Sequence, residues 1–317
     1  MTDTQNEVFK TPVNKIRLFE HGAPGSQNLK LTRKYYTEDM PDGRVKHIVQ
    51  NITDPDIVPY IPDGIGNSTD RQRIPAVLII PGGAFRRLVY NFEGEDVAKW
   101  LNSMGIAAFV LECRLPSDEH DNAEDVPLID AMRAMRVIRG RAQEFGIDEA
   151  KIGVMGFSAG GFMAALLSTA YESDVYADYK YKDEYDKLSA RPDFAVCSYP
   201  VISIDDCIEA GKRYMSEEQV LERISDSKAK ILHKYNPDKL VRPDMPPVFI
   251  CETDDDRTTL SENSVGFYMA ARKAGVSAEL HIFRTGGHGY GCGDDFAQTG
   301  EWKVLFTKWI KSIGILS

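Results

Sequence analysis

The chain has 317 residues, 43% of them hydrophobic and 27% charged, which is enough apolar material for a large core and too ordinary a balance for a disordered chain. A net charge of −10 repels phosphate backbones and anionic headgroups, so nucleic acid and membrane are excluded as expected partners. Five cysteines, an odd number with no CxxC pair, suit a reducing compartment. With a polar segment over residues 1–10 and no apolar run of spanning length, a cytoplasmic location is expected.

Residues 1–43 are rich in turn formers, including Pro12, Gly22, Pro24, Gly25, Pro41 and Gly43, and read as an irregular N-terminal arm. Residues 45–50 and 57–60 predict short edge strands. Residues 75–80 form a continuous apolar run ending at Pro81-Gly82-Gly83, as strands buried on both faces do. Further strands are expected over 106–111, 152–157, 194–198, 248–251 and 278–283. Between them, 93–104 predicts a helix closed by Gly105. Residues 127–145 carry apolar side chains at three/four spacing, with Pro127 in the first turn and Gly146 past the end. Residues 160–170, 263–274 and 301–313 complete the helices.

This alternation argues for an α/β fold with a mostly parallel central sheet, helices on both faces and a small cap. One domain over 1–317 is expected. Its arm is 1–43, and its cap elements are about 171–192, which is tyrosine-rich, and 203–243, which is charged. Both are expected on the side of the sheet where parallel strands bind ligands.

Gly156-Phe157-Ser158-Ala159-Gly160 matches G-x-S-x-G, between an apolar strand and a small-residue helix. The glycines let the chain turn sharply, and the turn presents the Ser158 hydroxyl where helix N–H groups favour developing negative charge. A serine needs a base. His288 sits in Gly286-Gly287-His288-Gly289, a loop too glycine-rich to hold a histidine for packing. The orienting acid should follow the penultimate strand, where Asp254-Asp255-Asp256 stands. Asp256 is the choice and Asp255 the alternative. A calcium loop is disfavoured because the aspartates lack D-x-D-x-D spacing and a glycine, so no metal and no cofactor are expected.

Gly82-Gly83-Ala84 follows a strand and allows backbone N–H groups close to a carbonyl oxygen. Gly83 and Ala84, with Ala159, are the expected oxyanion hole. Phe85, Arg86, Phe157, Tyr199 and Tyr290 are candidate substrate contacts, although Arg86 and Arg87 more often stay solvated or pair locally.

From these motifs the chain resembles the α/β-hydrolase esterases of the acetyl-xylan esterase-like and feruloyl esterase-like (BD-FAE) group, near the hormone-sensitive-lipase branch. The resemblance runs through LFEHGAPG at 18–25, residues 80–85, GIDEAKIGVMGFSAGG at 146–161, RPDFAVCSYPVI at 191–202 and ELHIFRTGGHGYG at 279–291. It implies an α/β-hydrolase fold, with Ser158 as nucleophile, His288 as base and Asp256, before Arg257, as third member. Three departures stand out. Thr258-Thr259-Leu260 replaces a V-x-P-like stretch. Ala84 replaces a third glycine, so positive φ is expected to be avoided there. Residues 203–235 match least.

The function implied is hydrolysis of short acyl esters, acetyl foremost, with a small-molecule ester as partner, including acetylated oligosaccharides. An amidase, formamidase or peptidase would use the same triad, and a non-catalytic ligand-binding homologue would keep the pocket. A homo-oligomer is compatible with the sequence.

Overall fold

Apolar runs that end in turns become strands buried on both faces, and these form the centre of the molecule. The computed structural model describes Phe9 and residues 13–65, 73–213, 215–216, 218–220, 227–293 and 298–316. Parts of the arm and of the 203–243 segment therefore lie outside the described residues.

The strands are β1 (Ile16–Arg17), β2 (Lys34–Asp39), β3 (Val45–Gln50), β4 (Asp56–Tyr60), β5 (Ile74–Ile80), β6 (Leu88–Val89), β7 (Ala107–Glu112), β8 (Ile147–Phe157), β9 (Ala195–Ser198), β10 (Val248–Thr253) and β11 (Ala278–Phe283). Eight of them form one sheet in the order β1-β4-β7-β5-β8-β9-β10-β11. From β7 to β11 every pairing is parallel, and β4 and β1 are added antiparallel at one edge. The central strands β5, β7 and β10 are buried almost throughout, as their unbroken apolar sequences require.

The helices are α1 (Asp96–Ser103), α2 (Val126–Gly140), α3 (Ala142–Phe145), α4 (Ala159–Ala170), α5 (Ile204–Lys212), α6 (Ser227–Lys234), α7 (Ser261–Lys273) and α8 (Trp302–Ser312). They cover both faces of the sheet, which makes this a three-layer α/β fold. No helix among the described residues is long and apolar enough to cross a membrane. Cys113, Cys197 and Cys251 are buried thiols in no disulfide.

Three expectations need correcting. The arm is not irregular throughout. Residues Lys34–Asp39 form β2, which pairs antiparallel with β3 about a turn carrying Gly43 at φ +84°, and β3 pairs with β6 to make a second, three-stranded sheet. Strand β1 extends the main sheet. The arm is held there by charge: Lys15 and Arg33 reach the fully buried Glu112 at 2.7 and 2.8 Å.

Second, β8 begins at Ile147, five residues earlier than its apolar run. Ile147 is buried, but Asp148, Glu149 and Lys151 break the apolar run because residues 148–151 are half-buried or exposed.

Third, 171–192 does not cover the catalytic end of the sheet. It follows α4, which carries the chain away from Ser158, and it packs on the side of α2. Arg133 pairs with Asp186 at 3.1 Å, Arg136 Nε donates to the Leu188 carbonyl at 2.9 Å, and the Tyr179 hydroxyl donates to the Gly22 carbonyl at 2.9 Å. The tyrosines thus bind the arm to α2. Of the described part of 203–243, α5 and α6 lie at the strands' C-terminal end, whereas Arg242 pairs with Glu172 beyond the far end of α4 at 2.7 Å. At the C-terminal end, Lys234 on α6 meets Asp125, just before α2, at 2.7 Å.

Candidate active site

Strand β8 delivers Ser158 to the centre of the sheet's C-terminal edge. Its backbone is strained, at φ +55° and ψ −118°, a conformation non-glycine residues rarely hold. The neighbours allow this. A Cβ at Gly156 would strike the Gly160 carbonyl, and one at Gly160 would strike the Ile80 carbonyl. Strain is offset by bonding on both sides: Ser158 N–H donates to the Ser198 carbonyl, and its own carbonyl accepts from Phe162, both at 3.0 Å.

The Ser158 hydroxyl lies 2.9 Å from His288 Nε2, and His288 Nδ1 lies 2.7 Å from Asp256 Oδ2. These three residues, separated by up to 130 positions, form one unbroken hydrogen-bonded chain. Asp256 is buried, at 2% exposure. Burial raises its pKa, but the bond and charge of His288 and the amides of Thr258 and Thr259 outweigh this and hold it below the usual value. Those amides donate to Oδ1 at 2.7 and 3.0 Å.

Asp255 has another task. It accepts the Gly287 amide at 2.8 Å and so pins the histidine's loop. The loop is not slack, despite left-handed glycines at 286, 287, 289 and 291. Thr253 Oγ1 donates to the Gly287 carbonyl at 2.9 Å, and Trp302 Nε1 donates to the Gly291 carbonyl at 3.1 Å. Thr259, where the sequence departs from V-x-P, places its hydroxyl 3.0 Å from Asp256 Oδ2, 3.2 Å from His288 Nδ1 and 3.1 Å from the Tyr199 carbonyl.

The Gly83–Arg86 turn closes with Arg86 N–H on the Gly83 carbonyl at 3.2 Å. Ala84 and Phe85 both adopt left-handed backbone, at φ +57° and +60°. This overturns the expectation that Ala84 avoids positive φ: the turn needs it, and alanine bears the strain that a glycine would relieve. Gly82 N–H is already committed to Glu93 Oε2 at 2.8 Å. Among the described residues the amides of Gly83, Ala84 and Ala159 meet no hydrogen-bond acceptor.

The candidate substrate contacts divide. Phe157 and Tyr199 are fully buried and pack against each other in a tilted arrangement with ring centres 5.8 Å apart. They support the site and do not touch substrate, because a side chain with no accessible surface offers none to a ligand. Tyr290 is nearly as buried, 4.5 Å from the Tyr199 ring. Arg86 is exposed, and Arg87 pairs locally with Glu38 at 2.5 Å. Phe85 lines an apolar hollow of about 10 Å³ beside Gly83 and Ala159, together with Cys113, Leu115 and Met163. Sequence reading missed Thr253, Thr259 and Glu93. Glu93 appeared only as the first residue of the predicted helix 93–104.

A serine on a strained strand-to-helix turn, on a mostly parallel sheet covered by helices, defines an α/β-hydrolase. The chain belongs to the BD-FAE family, whose model matches residues 65–270. It is 31% identical over 240 residues to an acetylxylan esterase of Xylanibacter ruminicola, covering 75% of this chain and 45% of the relative. It is also 31% identical over 227 residues to endo-1,4-beta-xylanase B of Butyrivibrio fibrisolvens, covering 71% of this chain and 34% of that one. The chain thus spans less than half the length of either curated relative. Among solved structures, an acetyl ester-xyloside bifunctional hydrolase from Caldicellulosiruptor lactoaceticus superposes with a TM-score of 0.71 at 35% identity, covering 96% of this chain and 97% of the other. An esterase from Thermogutta terrifontis, at 24% identity and a TM-score of 0.64, shares the fold over 93% of this chain and 96% of its own.

Proposed function

We propose that this protein hydrolyses carboxylic esters of short acyl groups, acetyl foremost, using Ser158, His288 and Asp256. The observation that carries the reading is the hydrogen-bonded chain from Ser158 Oγ through His288 to Asp256. In that arrangement His288 Nε2 takes the hydroxyl proton as Oγ attacks the ester carbonyl carbon. Asp256 holds the ring in the right tautomer and offsets its charge. The developing oxyanion is met by the amides of Ala159, Gly83 and Ala84. His288 then passes the proton to the departing alkoxide, leaving an acyl-Ser158 ester. Water, deprotonated by the same imidazole, releases the carboxylic acid and restores the serine.

The size of the hollow supports a short acyl group. About 10 Å³ beside the oxyanion donors is space for little more than one water-sized group, which leaves no room there for a long acyl chain. The similarity to an acetylxylan esterase and to an acetyl ester-xyloside hydrolase supports acetylated sugars as the class of substrate.

The test is hydrolysis of p-nitrophenyl acetate, with the matching anilide as comparison. Ser158→Ala should abolish turnover of the ester with the thermal midpoint unchanged. A variant that kept most of its activity would remove Ser158 from the mechanism, and faster cleavage of the anilide would make the protein an amidase.

A further inference from the structure

Glu93 is a buried carboxylate that the mechanism above does not use. It sits in a wide, π-type turn (Asn91–Glu95) closed by Glu95 N–H on the Tyr90 carbonyl at 2.8 Å, just before α1. Such turns inside helices recur at functional sites. The turn aims the side chain inward, where 5% of its surface remains accessible. One carboxylate oxygen accepts Gly82 N–H at 2.8 Å, and the other accepts the Tyr199 hydroxyl at 3.0 Å. The same hydroxyl accepts Gly291 N–H at 3.1 Å, three residues past His288. The Tyr199 ring stands 5.1 Å from the His288 ring.

We propose that Glu93 is a positioning residue. It ties the Gly82–Ala84 turn to the histidine loop through Tyr199, and as an anion it stabilises the imidazolium that His288 becomes during turnover. The proposal deepens the esterase reading and rests on it.

The bonding pattern supports the charged form. Tyr199 and Gly82 supply one donor to each oxygen, so a carboxyl proton would have to compete with them. Burial is the larger effect and leaves the Glu93 pKa above its ordinary value, while His288, the Tyr199 hydroxyl, the Gly82 amide and the charge of Lys46 on β3 pull it back towards the charged form. Tyr199, His288 and Lys46 are the titratable groups facing it. No cation touches the carboxylate among the described residues, so the charge that His288 acquires is its nearest counterpart in the reaction. Removing the anion should therefore make His288 harder to protonate.

The experiment compares wild type, Glu93→Gln and Tyr199→Phe in the pH profile of kcat/KM for p-nitrophenyl acetate. It also follows the His288 ring through its proton resonances over the same pH range. Glu93→Gln keeps the shape and removes the charge. Its acid limb and the His288 titration should both move to lower pH by about half a unit to one unit, as loss of a nearby buried charge predicts. Tyr199→Phe keeps the packing and cuts the link. Its kcat should fall about tenfold with KM held, the kinetic equivalent of one lost hydrogen bond to a charged group.

A lowered thermal midpoint with the acid limb and the His288 titration unmoved in Glu93→Gln would reduce Glu93 to a structural role and overturn the proposal. If Glu93→Gln does not fold, wild-type kcat in Tyr199→Phe overturns it. Should wild type hydrolyse no ester, the esterase reading fails separately, and the His288 titration still decides whether Glu93 acts on the ring.

Discussion

Two neighbouring carboxylates at the end of β10 divide the work on the histidine loop. Asp256 touches the imidazole, and Asp255 touches the backbone beside it. The variants should separate cleanly. Asp256→Asn would leave the His288 tautomer wrong, and kcat should fall by about 10³–10⁴. Asp255→Asn keeps an acceptor for Gly287 N–H, and its kcat should stay within about tenfold of wild type, the scale of one weakened hydrogen bond. Steady-state kinetics on p-nitrophenyl acetate distinguishes them, and a larger loss in Asp255→Asn would reverse the assignment. Ser158 and His288 were legible because each sits in a pattern with its own chemical reason. Asp256 was legible as the choice over Asp255 only through the family resemblance, because the decision depends on where a buried side chain points. Thr259 showed in the sequence only as a departure from the family pattern and Glu93 only as a helix start, since they act by accepting or donating bonds to groups brought near by the fold.

At the level of elements, the strand–turn–helix of β8 and α4 does two things. It raises the hydroxyl, and it sets one wall of the apolar hollow. Met163 on α4 lines that hollow with Leu115 and Phe85. Met163→Ala should lengthen it, so the ratio of p-nitrophenyl butyrate to acetate turnover should rise about tenfold, as one methylene in a hydrophobic pocket is worth about 1–3 kcal/mol. An unchanged ratio would place the acyl group elsewhere. Buried strands were readable from composition alone, because burial on both faces leaves no polar residues to confuse the period. Strand β2, with the sequence KYYTED, and the start of β8 were not. Both are half exposed, and their partners rather than their side chains make them strands.

Across the whole molecule, the layered sheet and its helices were legible because alternation of strand and helix admits few parallel topologies. The position of 171–192 was not, since a segment's neighbours across the sheet are not written in its own residues. Acid stability is also a property of the whole chain, and it has a local cause. His120 is buried, its Nδ1 3.0 Å from the Ser26 hydroxyl of the arm. Burial first, and the charge of Arg114 second, lower its pKa from 6.5 to about 4. The unfolded chain therefore takes up this proton before the folded one does. Stability should decline as pH falls from 6.5 towards 4 and draw no further penalty from this residue below that, a loss of about 3 kcal/mol at most. Urea unfolding at pH 7 and at pH 4.5 measures the slope, and His120→Gln should flatten it.

Glu112 has a consequence of a different kind. It lies on an interior strand, with no surface of its own, yet the cations that satisfy it come from residues 15 and 33. The margin of the main sheet is closed by only two residues of β1. A peeled-back N-terminus would leave an anion stranded in the core and an open row of backbone donors and acceptors along β4, ready to pair with another molecule. Residues 15–39 would thus act as a seal against self-association, with the interior charge of Glu112 coupling their release to the opening of the sheet they protect.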